Sequence, residues 1–540
     1  MQKQVNGMAS EPCISASIWY FEDKKNPQEA DDFPLFETTR PQAGFCVPKE
    51  GFLATACGKW FSRKRGKMEK AKKKRASLSA LTILMAILVV LAIITVIMAA
   101  AGVEGITGAT LSGLLTAPVR GWSDALSVNC FIMILGGFLG VVTATGALNV
   151  GIDTLVRKLH GKEIWIIPIL MILFSVGGTV YGMGEETVPF YILLASTMVA
   201  AGFDSMVGVG TVLLGAGCGV LGSTVNPFAV GVAVDALKTS GVEANQAIII
   251  VLGAILWIVA TAMAIMFMVR YAKKVKADKG STILSLQEQE EMRANFGEVT
   301  TETSDICLSG RQKGVLIVFA ITFVVMIIGF IPWESFGITA FVGWSSVLTG
   351  FPLGEWYFDE TSTWFLIASI VIAIVGGLSE SKFIKSFVAG AADMIAVLLV
   401  IALARSITVL MNDTGLSMWI LENAANILSG MSGALFAPLS YLLYLGISFL
   451  IPSSSGLATV SMPIMGPLAS GLGFSPEVMV MIFSAGNGLI NLFTPTCGFI
   501  MGGLAAAKVE WSTWLKFSWK IILAIGIASC VILTAAMIIL

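Results

Sequence analysis

The chain has 540 residues, of which 56% are hydrophobic and only 13% charged, with a formal net charge of -1 and a mean hydropathy of +0.84. These values exclude a water-soluble enzyme or nucleic-acid binder and leave nothing over for a large soluble catalytic domain. A hydrocarbon core about 30 Å thick needs roughly 20 apolar residues per helix, and such stretches recur from Leu78 to the last residue, so an all-α polytopic membrane protein is expected.

Residues 1–67 are polar and proline-bearing, and they lack the apolar core and small-residue cleavage site of a signal peptide. They read as a disordered extension, or as an upstream start ahead of Met68. The lysine- and arginine-rich run from Arg63 to Arg75 places the basic segment 1–77 in the cytoplasm by the positive-inside rule. A first span at 78–101 leads to an outer segment carrying Arg120, and a second at 126–150 returns to the basic loop Arg157, Lys158, His160 and Lys162. His160, the chain's one histidine, reads as a solvated loop residue.

The apolar stretch 164–201 is too long for one helix and is interrupted by GGTVYGMGEETVPF, which predicts two half-length helices meeting at a tip. A re-entrant hairpin of this kind is tolerable only where its unpaired backbone faces protein or a watery cavity. The stretch 206–237, broken by GCGVLGSTVNPF, predicts a discontinuous helix unwound at 222–227. A span at 247–268 ends in Arg270, Lys273, Lys274, Lys276 and Lys279, again cytoplasmic, and 280–313 is expected to be a polar loop between two halves.

The second half, 314–540, repeats the plan of 78–279. Spans are expected at 315–331, at 363–377 before the inner Lys382 and Lys385, and at 391–411, which leads outward. After an outer stretch containing NDTGLSMWILENAANILSG, the segment 435–469 is broken by IPSSSG as a hairpin from outside, and 478–507 is broken by GNGLINLFTPT. A last span, 515–540, puts the C-terminus outside. Glu185 and Pro227 lie 42 positions apart, Ser454 and Pro495 41, so each half carries a hairpin tip and then a proline-broken helix, facing opposite ways. Paired interruptions in two inverted halves are the sequence pointer to a secondary transporter's binding site.

At the first tip Glu185, Glu186 and Thr187 follow Gly184. A carboxylate at mid-membrane costs on the order of 3 kcal/mol on insertion scales, so the pair reads as a site for a cation, a proton or an amine. The other reading makes one glutamate a helix cap and turns the second toward the cytoplasmic vestibule. Ser223, Thr224 and Asn226 at the first break offer hydroxyl and amide groups beside freed backbone, where half-helix ends attract charged solutes. Ser453, Ser454 and Ser455 at the second tip and Asn487, Asn491, Thr494 and Thr496 at the second break mirror them. Taken singly, each could instead satisfy the broken backbone. Arg405, read as sharing a span with Asp393, is a candidate fork for a substrate carboxylate, an anchor to another carboxylate, or a snorkelling side chain.

The eight cysteines show no CxxC or metal-ligand spacing, and the chain has neither a P-loop nor an H-E-x-x-H sequence. No metal or cofactor is expected beyond Na+ or H+ as a coupling ion. Closed, inverted hairpins argue against a channel, and the lack of a nucleophile-base set argues against a membrane-embedded enzyme.

At the strings GMGEETVPF, STVNPF, IPSSSGLATVSMPIMGPLA and GNGLINLFTPTCGFIMGGLAAAKVEWSTWLKF, the sequence resembles the YfcC-like branch of the anaerobic four-carbon-dicarboxylate carrier family, in the ion transporter superfamily. The resemblance covers residues 68–540 and implies an elevator-type arrangement of scaffold and transport domains, commonly homodimeric, in the cell's inner membrane. Family members are dicarboxylate carriers or basic amino-acid exchangers of the arginine/ornithine type. Where relatives often carry Gly-Asp-Gly at the second break, this chain has Gly486-Asn487-Gly488, which puts a shared ion-coupling site in doubt. Adjacent glutamates repel a dicarboxylate and suit a cationic amino acid, so basic amino-acid exchange is the expectation and ion-coupled succinate or fumarate transport the alternative.

Overall fold

A computed structural model describes residues 80–148, 150–151, 154, 162–296, 308–331 and 333–540. The expectations for residues 1–77, for Arg157, Lys158 and His160, and for 297–307 lie outside these. The described residues are helical with no strand, and they contain nine helical segments long and apolar enough to cross a bilayer.

Helix α1 (Ala80–Ala100) is followed by α2 (Leu111–Asp124) and α3 (Leu126–Ala144), which meet at Ala125. Next come α4 (Ile166–Tyr181), α5 (Val188–Ala200), α6 (Ser205–Leu221), α7 (Val232–Thr239) after a π-turn at Pro227–Gly231, and the long α8 (Gln246–Ala277). Helix α9 (Leu286–Phe296) precedes α10 (Gly310–Phe330), α11 (Phe358–Gly376), and then α12 (Glu380–Asp393) and α13 (Ile395–Asp413), which meet at Met394. The chain ends with α14 (Leu416–Leu428), α15 (Gly433–Leu450), α16 (Ser454–Gly471), α17 (Pro476–Ile490), α18 (Gly498–Ala506) and α19 (Trp511–Ile539).

Two bent helices of matching design cross at the centre of one packing group. Each consists of a 14-residue and then a 19-residue helix: α2 with α3, and α12 with α13. They run antiparallel, α2 against α13 and α3 against α12. The crossing depends on missing side chains: a Cβ on Gly136 would sit 2.6 Å from the Gly390 carbonyl oxygen, and one on Gly390 2.2 Å from that of Gly136. Small residues let backbones approach in this way where lipid supplies no hydrophobic drive.

Helices α1, α10 and α11 complete this first group. A second group holds α4 to α8 and α15 to α19, with α6 packed on α4 and α8, α17 packed on α15 and α19, and α6 against α17. Helix α18 bridges the groups, touching α13 and α5. Each group draws on both halves of the chain.

The structure corrects several boundaries. The outer segment after the first span contains α2, whose Ala117 and Gly121 are buried against α13. The second span stops at Ala144, where the chain turns at Thr145 and Gly146. The span read as 391–411 is divided at Met394, so Asp393 lies on α12 and not on the helix of Arg405. The polar loop 280–313 contains α9 and the start of α10, and the outer stretch after α13 contains α14. In α9, Glu288 is buried and accepts hydrogen bonds from the Glu510 N–H (2.9 Å) and the Thr513 hydroxyl (3.1 Å) at the start of α19, a placement that composition alone did not suggest.

Candidate functional site

All four interrupted stretches break where their glycines, serines and prolines lie. Helix α4 ends at Gly182, whose φ of +82° is a left-handed value suited to glycine, and α5 begins after a short 3-10 turn over Glu185–Thr187. Helix α6 stops at Leu221 and its continuation waits for Pro227. Helix α15 stops at Leu450, and α16 is opened by Ser453, whose Oγ accepts from the Gly456 N–H at 3.3 Å. Helix α17 ends at Ile490 and α18 begins at Gly498.

Hydrogen bonds fasten each break to its tip. In the first unit, the Thr224 N–H and hydroxyl donate to the Thr179 carbonyl (2.9 and 3.1 Å), while the Thr179 hydroxyl donates to the Gly222 carbonyl at 2.6 Å. The Asn226 amide donates to Ser223 Oγ (2.9 Å), and its oxygen accepts from the N–H groups of Phe228 and Ala229. In the second unit, the amide groups of Asn491 (2.8 Å) and Asn487 (3.3 Å) both donate to the Pro452 carbonyl, and the Thr496 hydroxyl donates to the Phe449 carbonyl at 2.6 Å. The indoles of Trp514 and Trp511 serve the carbonyls of Leu492 and Phe493. These tryptophans escaped the sequence reading because nothing in their spacing ties them to residues about twenty positions earlier.

A cavity of about 90 Å³ lies between the tips, and it separates the candidate residues into two sets. Glu185, Glu186, Ser453, Ser454, Ser455, Asn491 and Arg405 line it. Thr496 lines an adjoining space of about 40 Å³ that shares Glu185, Arg405 and Ser453. Thr187, Ser223, Thr224, Asn226, Asn487 and Thr494 line neither and are engaged in the backbone bonds above or in equivalents: the Thr187 hydroxyl donates to the Gly184 carbonyl, and Thr494 pairs with Thr496.

The adjacent glutamates also part company. Glu186 is buried, and its Oε2 accepts from the Gly184 N–H at 3.0 Å, so it closes the tip on itself. Glu185 is partly exposed at the junction of both spaces and has no hydrogen-bond or ion-pair partner among the described residues. Arg405 reaches the same junction from α13, in the other packing group. Its Nη1 stands 3.8 Å from Asp124 Oδ2, an ion pair too long for a hydrogen bond, so its guanidinium N–H groups are free to take a ligand. Asn491 Oδ1 is buried and unpartnered, leaving an acceptor at the cavity wall. A free carboxylate and a free amide oxygen thus lie near a free guanidinium and the N-terminus of the 18-residue α16. Such a site can hold a small solute bearing both signs of charge.

Sequence comparison bears on what kind of protein carries this site. Residues 114–538 match the family described as DcuC, C4-dicarboxylate anaerobic carrier. The chain belongs to the anaerobic C4-dicarboxylate carrier family. Two curated relatives support the assignment. An uncharacterised protein of Haemophilus influenzae is 33% identical over 401 residues, 74% of this chain and 73% of that protein. The YfcC protein of Escherichia coli (strain K12), named provisionally as a basic amino acid antiporter, is 30% identical over 446 residues, 78% of this chain and 81% of its own length. Two solved structures align over most of the chain at low similarity. The YdaH transporter of Alcanivorax borkumensis is 16% identical and covers 85% of this chain and 98% of its own, with a TM-score of 0.42. MtrF of Neisseria gonorrhoeae, from a class of antimetabolite efflux pumps, is 16% identical and covers 86% and 96%, with a TM-score of 0.41. Membership of this carrier family makes the protein a multi-pass membrane transporter and not an enzyme.

Proposed function

We propose that this carrier exchanges basic amino acids of the arginine/ornithine type across the cell's inner membrane, with its N-terminus inside and its C-terminus outside. The observation that carries the reading is Glu185: a carboxylate without a protein partner in the central cavity, which the free donors of Arg405 and the N-terminus of α16 also line. The solute's cationic side chain would meet Glu185 and Asn491 Oδ1, and its carboxylate would meet Arg405 and the serine-capped N-terminus of α16. The provisional naming of the Escherichia coli relative agrees with this reading.

The same geometry supports an elevator mechanism. The paired bent helices are the frame, with α1, α10 and α11, and the second group with its two tips is the moving body. The two 14-plus-19-residue helices in antiparallel contact are what an inverted repeat of 78–279 and 314–540 would leave at its centre.

Arg405 and the α16 N-terminus are both anion-binding elements, and the family description names C4-dicarboxylates. They favour a second reading, dicarboxylate transport with a cation or proton covering Glu185. Proteoliposomes preloaded with unlabelled arginine, ornithine, succinate or fumarate and then given each solute in labelled form separate the two. Uptake of labelled arginine stimulated by internal arginine or ornithine is the expected result. Stimulation by the dicarboxylates alone would transfer the assignment to the second reading.

A further inference from the structure

At about 90 Å³ the central cavity is well below the ~300–1,000 Å³ typical of small-molecule sites. A solute-bound state must therefore open into neighbouring space, and the structure shows where. A second cavity of about 660 Å³ adjoins it and is bordered by Glu355, Asp359 and Glu360, with no lysine, arginine or histidine among its described lining residues. Successive residues face the two spaces: Ser127 and Pro227 border the large one, Val128 and Phe228 the small one, and Phe358 borders both. The separating wall is thus built where two chain breaks converge, at Ala125 and before Pro227.

Its substance is aromatic. The rings of Phe228 and Phe358 stack at 6.0 Å with 25° between their planes, and Phe228 also meets Tyr357 edge-on at 5.5 Å. The two stacked rings belong to different packing groups. Phe228 sits in the π-turn with its N–H held by Asn226, while Phe358 opens α11 and leans on Phe131 of α3 at 5.7 Å. Motion of one group against the other therefore slides or parts these rings.

We propose that Phe228 and Phe358 form a selectivity partition between the acidic second cavity and the central site, crossed by the cationic end of the solute along the ring faces. This rests on the basic amino-acid reading above. An aromatic face attracts a guanidinium or ammonium group and offers nothing comparable to a carboxylate. With carboxylates on both sides, at Asp359 and at Glu185, the wall passes cations in preference to dianions.

The test replaces the π face while keeping bulk. Phe358→Leu and Phe228→Leu are expected to raise the KM for arginine exchange about tenfold, with Phe358→Tyr close to the parent. An unchanged arginine KM in both leucine variants would overturn the proposal while leaving the basic amino-acid reading standing. A second measurement does not depend on transport. In a chain whose native cysteines are replaced by alanine, Ser454→Cys is modified with a trimethylammonium-bearing methanethiosulfonate and with its sulfonate-bearing counterpart. The cationic reagent should react faster, and either leucine substitution should reduce that preference severalfold. A rate ratio unmoved by both substitutions would sink the partition, even for a carrier that proves to move dicarboxylates.

Discussion

At the scale of single residues, adjacency in sequence concealed a division of labour. Glu185 and Glu186 invite treatment as one acidic pair, yet one faces the cavity and the other closes its own tip through the Gly184 N–H. Under the proposed exchange, Glu185→Gln should raise the KM for a basic amino acid at least tenfold with little change in thermal stability. Glu186→Ala should instead destabilise the folded protein by about 1–3 kcal/mol, the cost of stranding a buried donor. Exchange kinetics and thermal melts on the two variants separate these outcomes; equal kinetic effects would mean that the pair acts as one site. The sequence pointed to the carboxylates, because two charges between glycines in an apolar stretch need a reason. It could not show which one turns toward solvent, since that depends on where the single left-handed residue, Gly182, aims the tip. Arg405 was likewise recognisable, but its span was misread: Asp393 belongs to another helix, and the carboxylate beside Arg405 is Asp124, 281 positions earlier.

At the scale of elements, the interrupted helices were the most legible part of the chain, because glycine, proline and serine clustered inside a long apolar run weaken the helix at that point. Their fastening was not legible, since it consists of contacts such as Asn487 and Asn491 to the Pro452 carbonyl. That contact gives Asn487 a structural role at the second break, where its amide donates to the tip. An aspartate at 487 cannot donate to Pro452, so Asn487→Asp should loosen the second tip and lower the melting temperature by several degrees, about 1 kcal/mol or more for a lost buried bond. An unchanged melt would show that the Asn491 bond alone holds the tip. The bent helices were missed in part because a 14-residue helix such as α2 is too short and too polar to register as a span. Their crossing predicts that Gly390→Leu prevents assembly, because the nearest obstacle is backbone and cannot rotate away. Size-exclusion profiles of detergent-extracted protein would reveal the loss, and a monodisperse peak at normal yield would contradict it.

At the scale of the whole molecule, the proposed elevator requires the two packing groups to move against one another. Spin labels at the exposed positions Leu115 and Val388, both in the first group, should keep one distance through the transport cycle. A label at Ile255 in the second group should shift relative to Leu115 by about the width of a helix, ~10 Å, between solute-free and solute-saturated protein. Fixed distances in both pairs would exclude the elevator reading. Hydropathy alone foretold that the molecule spans a membrane many times, whereas the grouping of helices was hidden because each group mixes segments from both ends of the chain. That mixing has a consequence for biosynthesis. Helices α2 and α3 leave the ribosome with the glycine face of their crossing uncovered, and its cover, α12 and α13, is made some 270 residues later. At ~5–20 residues per second the wait is roughly 13 to 54 s. During that interval the first half sits in the lipid with its closest-packing surface vacant, a period in which another nascent chain could occupy it and an insertion chaperone would have something to protect.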